Sequence, residues 1–293
     1  MRVVLTGATG YIGTVVADVL RQAGHTVVGV ARSDEALEKL RARGDEAVRS
    51  DISTPQDFSG AVRDADAVIH TAATDGPDRA AADSAVVEMV LGLYDGSGKR
   101  FIYTSGLWDN GSSIDGATID EETPTAPPAH LAWRPAVVER VLAMGMRGAK
   151  TVVIRPAMVY GRGGGPAATL TAAARAGQTV RVVGTGQNHW PLVHVDDLAD
   201  LYLRALVQAP AGACFVAAHG DSVKLHEIAA AAAALGEGVA VETWPLDDAR
   251  GVLGSAADGL VLDQRVSSAR AKKMLGWAPH APTLMDEIAH GSY

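Results

Sequence analysis

Gly7, Gly10 and Gly13 are spaced G-x-x-G-x-x-G between the apolar run Val3, Val4, Leu5 and a stretch of helical periodicity, Val15, Val16, Val19, Leu20. An apolar run passing through glycines into such a stretch predicts a strand, a tight turn and a helix. With no Cβ in the way the turn can approach a pyrophosphate closely, and the helix start offers unpaired N–H groups and a partial positive charge. A second β-branched run, "HTVVGVA", follows at the distance of a β-α-β unit, so the segment predicts a dinucleotide cradle.

The end of that second strand bears on which dinucleotide. An acidic side chain there accepts the ribose 2′-hydroxyl of NAD, but the chain reads "ARSDE", which puts Arg32 and Ser33 at that place. A guanidinium pairs with a 2′-phosphate and favours NADP, while Asp34 keeps NAD open.

Further along, "EAVRSD", "AVIHTA", "RFIYTS" and "TVVIRP" alternate with alanine-rich helical patterns. This predicts an α/β fold, a doubly wound parallel sheet with helices on both faces. Right-handed crossovers place the strand C-termini along one edge, where ligands bind in open sheets of this type. After Gly161 the pattern loosens into a glycine-rich loop at 161–165, expected as a mobile pocket rim. A helix at 170–176, a strand at 180–183 and a helix capped by Asp196 or Asp197 follow. Residues 1–163 are read as a nucleotide-binding domain rejoined by about 190–218, and 164–293 as mainly a smaller substrate-binding lobe.

With 293 residues, 47% of them hydrophobic, the chain can bury a sizeable core. A net charge of -8 without a basic cluster argues against a nucleic-acid partner. Cys214, the only cysteine, sits in the apolar run "AGACFVAA", so no intrachain disulfide forms and a structural role in a reducing, cytoplasmic compartment is expected. No leader is expected before a strand starting at Arg2, and no run reaches the roughly 20 apolar residues of a membrane span.

The blocks "TGATGYIG", "AVIHTAA", "FIYTSG", "VVIRPAMVYGRG", "PLVHVDDLADLY" and "SSARAKKMLGWAP", in this order, resemble the extended short-chain dehydrogenase/reductase family, which includes the NAD-dependent epimerases and dehydratases. The resemblance covers nearly the whole chain and implies a Rossmann-like NAD(P) domain with a smaller C-terminal substrate-binding lobe. Its implied cofactor contacts are Gly7, Thr9, Gly10, Tyr11, Ile12 and Gly13 at the pyrophosphate and Arg32 and Ser33 at the adenosine ribose. They continue with Asp51 and Ile52 near the adenine, Thr71, Ala72 and Ala73 along the ribose, and Thr104 and Pro156 toward the nicotinamide. Family members often pair through helices corresponding to 83–94 and 135–143, so a homodimer is one expectation. Burial of those alanine- and valine-rich faces within one chain is the other.

The departures are sharper than the matches. Family members use a Ser/Thr and a Y-x-x-x-K pair, in which a tyrosine exchanges a proton with the substrate oxygen. Here the segment reads "HLAWRPAVVERVL", placing Leu131 and Pro135, or with a shift of one residue His130 and Arg134, at those positions. Ser105 or Gly106 occupies the serine position. Ser105, His130, Arg134 and Tyr160 are therefore the candidate catalytic residues: His130 as a proton donor near neutral pH, Arg134 holding a carboxylate or the cofactor ribose, Tyr160 as a replacement acid. Tyr103 is expected to point into the sheet, and Trp108 and Trp133 to wall the site. No metal is expected, because "HEIAA" lacks the second histidine of a zinc helix and His189 and His194 have no third ligand nearby. The reading is an NADP-dependent oxidoreductase acting on a small-molecule carbonyl, alcohol or imine. A non-redox isomerase, lyase or cyclase, or a non-catalytic NADP sensor, are the alternatives.

Overall fold

Val3 and Leu5 point to one face of the first strand and Val4 to the other, and all three are fully buried. A strand apolar on both faces has to lie inside a sheet covered on both sides. In the computed structural model, which describes residues 1–74, 76–220 and 222–293, that strand is an interior strand of a seven-stranded sheet. The strands in chain order are β1 (Arg2–Thr6), β2 (Thr26–Ala31), β3 (Glu46–Arg49), β4 (Ala67–His70), β5 (Arg100–Thr104), β6 (Lys150–Pro156), β7 (Met158–Tyr160), β8 (Val180–Val183), β9 (His189–Trp190), β10 (Leu192–His194), β11 (Ala213–Ala217), β12 (Val223–Lys224) and β13 (Val241–Trp244). The large sheet runs β11-β6-β5-β4-β1-β2-β3 and every pairing in it is parallel. The order reverses between β1 and β4, and at such a switch point the loops leaving the two strands diverge and open a crevice.

The helices are α1 (Tyr11–Gln22), α2 (Asp34–Ala42), α3 (Ser59–Asp64), α4 (Arg79–Tyr94), α5 (Arg134–Met144), α6 (Pro166–Arg175), α7 (Val195–Gln208), α8 (Leu225–Ala233), α9 (Leu246–Leu253), α10 (Ala256–Leu260), α11 (Ala269–Leu275) and α12 (Leu284–His290). Side chains of α1, α2, α7 and α11 pack on one face of the large sheet, and those of α3, α4 and α5 on the other. A third apolar cluster joins α6, α8, α12 and β8, beside the small pairings β7–β10, β9–β12 and β8–β13. Cys214 is buried against the α5 face, and burial pushes its thiol up to about 11. No helix among the described residues is long and apolar enough to cross a membrane.

Three local expectations are corrected. The helix expected at 170–176 starts directly after the loop, because Gly165 caps it at φ 78° and Pro166 supplies the preset φ of a first turn. The cap of α7 is His194, whose Nδ1 accepts from Asp196 N–H at 3.1 Å, and neither aspartate fills that place. Asp197 instead accepts from the backbone N–H of His280 and Ala281 at 3.0 and 3.1 Å. The loop 161–165 is a pinned contact rather than a mobile rim: Tyr11 donates to Gly161 O at 2.7 Å, and Gly161 N–H and Gly163 N–H donate to Tyr293 Oη and Ser292 Oγ.

Candidate functional site

The loop after β1 folds back on the loop after β4. Gly7 has φ 73°, and a Cβ there would lie 2.8 Å from Ala72 N. A Cβ at Gly13 would lie 2.0 Å from Gly7 O, so only glycine lets α1 start this close to the strand end. The first turn of α1 holds no acidic side chain, and its cap, Gly10, contributes no side-chain hydrogen bond. Unpaired N–H groups at the positive end of the helix thus face the crevice. This cleft of about 440 Å³ is lined by Gly7, Thr9, Gly10, Tyr11, Ile12, Gly13, Arg32, Ile52, Thr71, Ala72 and Ala73, with Val30, Ala31, Ser50 and Thr74 beside them. A glycine-bared helix start at the switch point, with an arginine at the far end, fits a dinucleotide.

Arg32 is 72% exposed and meets Asp51 at 3.4 Å. Ser33 and Asp51, both expected at the cofactor, do not line the cleft. The Ser33 hydroxyl caps α2 by accepting from Ala36 N–H, and Asp51 accepts from Ser53 N–H at 2.8 Å. Both are drawn into local turns because short oxygen-bearing side chains reach a neighbouring backbone N–H first.

Ile12 also lines a second pocket of about 350 Å³, so the two spaces adjoin. Thr104, Ser105 and Gly106 leave β5 into it, Pro156, Ala157 and Met158 leave β6, and Arg134 enters from the start of α5. Thr104 and Pro156 thus lie here rather than along the dinucleotide cleft, and the Thr104 hydroxyl is bonded to Tyr202 Oη at 2.6 Å. At the pocket edge Asp109 is 0% exposed. It accepts from Arg134 Nε at 2.7 Å and, through its other oxygen, from the Ser105 hydroxyl. A buried carboxylate so paired holds both partners in place. A Cβ at position 106 would lie 3.3 Å from Arg134 Nη2, so glycine leaves the outer end of the guanidinium open to the pocket.

Two other candidates are elsewhere. Tyr160 is buried in the third apolar cluster, donates its hydroxyl to Pro282 O at 2.8 Å, and is raised well above the ordinary phenol range by burial. His130 does not line the pocket: its ring stands edge-on to Trp108 with centroids 6.4 Å apart, its Nδ1 is buried without a partner, and burial lowers its pKa. It is therefore held neutral rather than poised to donate near neutral pH. Trp108 lines the pocket, while Trp133 packs toward the α4–α5 core and donates to His130 O.

Sequence reasoning missed Asp109, Arg79 and Gln264. Asp109 follows the recognised "FIYTSG" block by three residues, a spacing that carried no signal of its own. Arg79 opens α4, and Gln264 arrives from the far end of the chain. Tyr103 does turn into the sheet, where it joins a buried chain. Its hydroxyl donates to Asp83 at 2.8 Å, Asp83 meets His70 Nε2 at 3.3 Å, and His70 Nδ1 meets Thr6 Oγ1 at 2.6 Å. This chain links β5, α4, β4 and β1 beneath the crevice.

Comparisons with known proteins agree with this geometry. Residues 3–218 match the profile of the NAD dependent epimerase/dehydratase family. An uncharacterized protein of Saccharomyces cerevisiae is 30% identical over 98% of both chains. A 2-alkyl-3-oxoalkanoate reductase of Stenotrophomonas maltophilia is 28% identical over 78% of this chain and 73% of its own. The crystal structure of Pal from Bacillus thuringiensis shares the fold, with TM-score 0.85 at 19% identity over 100% of this chain and 98% of that one. With the glycine turn, the switch-point crevice and the family profile in agreement, this chain belongs to the NAD-dependent epimerase/dehydratase family.

Proposed function

We propose that the protein is an NADP-dependent oxidoreductase of small carbonyl compounds or the corresponding alcohols, working through Arg134, Ser105 and Asp109. The observation that carries this reading is the buried Ser105–Asp109–Arg134 cluster opening into a pocket that shares Ile12 with the dinucleotide cleft. The nicotinamide supplies or accepts a hydride when bound. Arg134 presents its outer N–H groups to the substrate oxygen, where negative charge grows as a carbonyl is reduced. Ser105, its proton committed to Asp109, offers a lone pair to a substrate hydroxyl. In the alcohol-to-carbonyl direction that hydroxyl proton passes to Ser105 Oγ as the serine proton passes to Asp109. In the reverse direction both move back and the alkoxide becomes the alcohol.

NADP is preferred over NAD because Arg32 stands exposed at the end of β2 with only a long contact to Asp51. Residues 164–293, apart from the return segment of about 190–218, act mainly as the substrate-binding lobe, a reading supported by Gln264 lining the pocket. The relative named as an oxoalkanoate reductase supports the redox class. A single buried thiol suits a cytoplasmic enzyme.

The test is loss of NADPH absorbance with a panel of ketones, aldehydes and imines. Turnover is expected, falling about 10²- to 10⁴-fold in Asp109→Asn while NADP affinity is kept. Arg32→Asp is expected to weaken NADP more than NAD. NADP binding without consumption by any of the panel overturns the redox reading, and equal loss of both nucleotides in Arg32→Asp overturns the NADP assignment.

A further inference from the structure

We infer that the substrate is an oxo acid or hydroxy acid whose carboxylate is held by Arg79, a conclusion that rests on the redox reading above and narrows it. Among the described residues the second pocket has an unbalanced charge. It is lined by two arginines, Arg79 and Arg134, and by no acidic residue among the described residues. Asp109, at its edge, is already shared between Arg134 and Ser105. Arg79, half-buried at the start of α4, has no acidic partner among the described residues. Behind the floor, Arg155 precedes the lining Pro156, and its Nε and Nη1 are buried without hydrogen-bond partners. A half-enclosed site with excess positive charge pays for that charge in repulsion and desolvation unless an anion completes it.

The two arginines also divide the work. Arg134 is fixed through Nε by Asp109, so its outer nitrogens serve one oxygen position beside Ser105. Among the described residues no group pairs with the Arg79 fork, and a free planar fork matches a carboxylate with two parallel hydrogen bonds. The remaining walls, Leu107, Trp108 and Met158, offer apolar surface to the rest of the molecule. The Trp108 indole is seated against α10, where a Cβ at Gly259 would lie 2.4 Å from its Cδ2. A space of about 350 Å³ suits a small acid with one apolar or aromatic substituent better than a nucleotide sugar.

The experiment compares acids with their own neutral esters: acetoacetate and phenylpyruvate against methyl acetoacetate and methyl phenylpyruvate, with NADPH. The free acids are expected to be the better substrates in kcat/KM. In Arg79→Gln the acid-to-ester ratio is expected to fall about 10- to 100-fold, chiefly through KM, and Arg79→Lys to restore part of it. A melting temperature still raised by NADP certifies that each variant is folded. A wild-type ratio near one, or a ratio unchanged in Arg79→Gln, overturns the inference while leaving the redox reading standing. If none of the four compounds consumes NADPH, calorimetric titration of the NADP-loaded protein decides separately. Binding of acetoacetate but not its ester, lost in Arg79→Gln, supports the anion site. Equal or absent heats for the two, or preferential binding of UDP-glucose, overturn it.

Discussion

A guanidinium keeps its charge at any pH a protein survives, so Arg134 can hold an oxygen but cannot hand it a proton. That single fact moves proton handling to Ser105 and Asp109 and makes the neighbouring His130 a different kind of residue. Burial, chiefly, keeps the His130 imidazole neutral. Asp258 opposes this, and the charges of Arg79 and Arg134 add to it. Its folded pKa thus lies below that of the unfolded chain, which is about 6.5. As pH falls through that value the unfolded chain takes up a proton that the folded chain refuses, so stability drops with acidification until the folded pKa is passed. In His130→Gln that component is absent. Urea unfolding at pH 7.5 and 5.5 is expected to show a smaller loss in the variant, and identical losses would rule His130 out as the origin. The segment "HLAWRP" identified both His130 and Arg134, but nothing in it says which one faces the pocket. The turn of α5 decides that, by aiming Arg134 at an aspartate 25 residues earlier.

Among the elements, α12 shows how a short helix is held at its start. Thr283 Oγ accepts from Asp286 N–H at 3.2 Å, and the Asp286 carboxylate accepts from Thr283 N–H at 3.2 Å, a reciprocal box that satisfies both groups. The helix then brings Leu284 and Ile288 into the third apolar cluster and Glu287 to Ser292 N–H at 2.9 Å. Thr283→Ala is expected to cost about 1 kcal/mol of stability and Thr283→Ser very little, measured by urea unfolding. A Thr283→Ala protein as stable as the parent would mean the box contributes nothing. The strands of the large sheet were legible because their β-branched runs are local signals. The starts of α6 and α7 were not. Asp197 has the right chemistry for a cap, yet its carboxylate is taken by backbone 83 residues away, and His194 fills the place it leaves. Capping preference is a local rule, and a tertiary hydrogen bond of equal strength can override it.

At the scale of the whole molecule, the segment around Gln264 ties the chain's far end to the pocket. The Gln264 side chain is 2% exposed and its amide N–H groups donate to Leu107 O and Gly111 O at 2.6 and 2.7 Å. Ser113 N–H and Ile119 N–H donate to Asp263 O and Arg265 O, both at 2.7 Å, so residues 263–265 strap the loop that carries Trp108 and Asp109. Gln264→Leu keeps the bulk but leaves the two carbonyls without these donors, at a cost of about 1–3 kcal/mol each. Faster hydrogen exchange across 107–119 is expected, with the β1–β4 region unchanged. Unaltered exchange in that loop would show that the strap is not what orders it. The parallel sheet and the glycine cradle were written in neighbouring residues, since strand alternation and a glycine-lined turn act over a few positions of chain. The reaction pocket was not: Gln264 meets Leu107 across 157 residues of sequence, and Arg79, Arg134 and Asp109 come from three separate segments. Charge balance and proton passage depend on distances between such groups, and those distances exist only once the chain has closed around them.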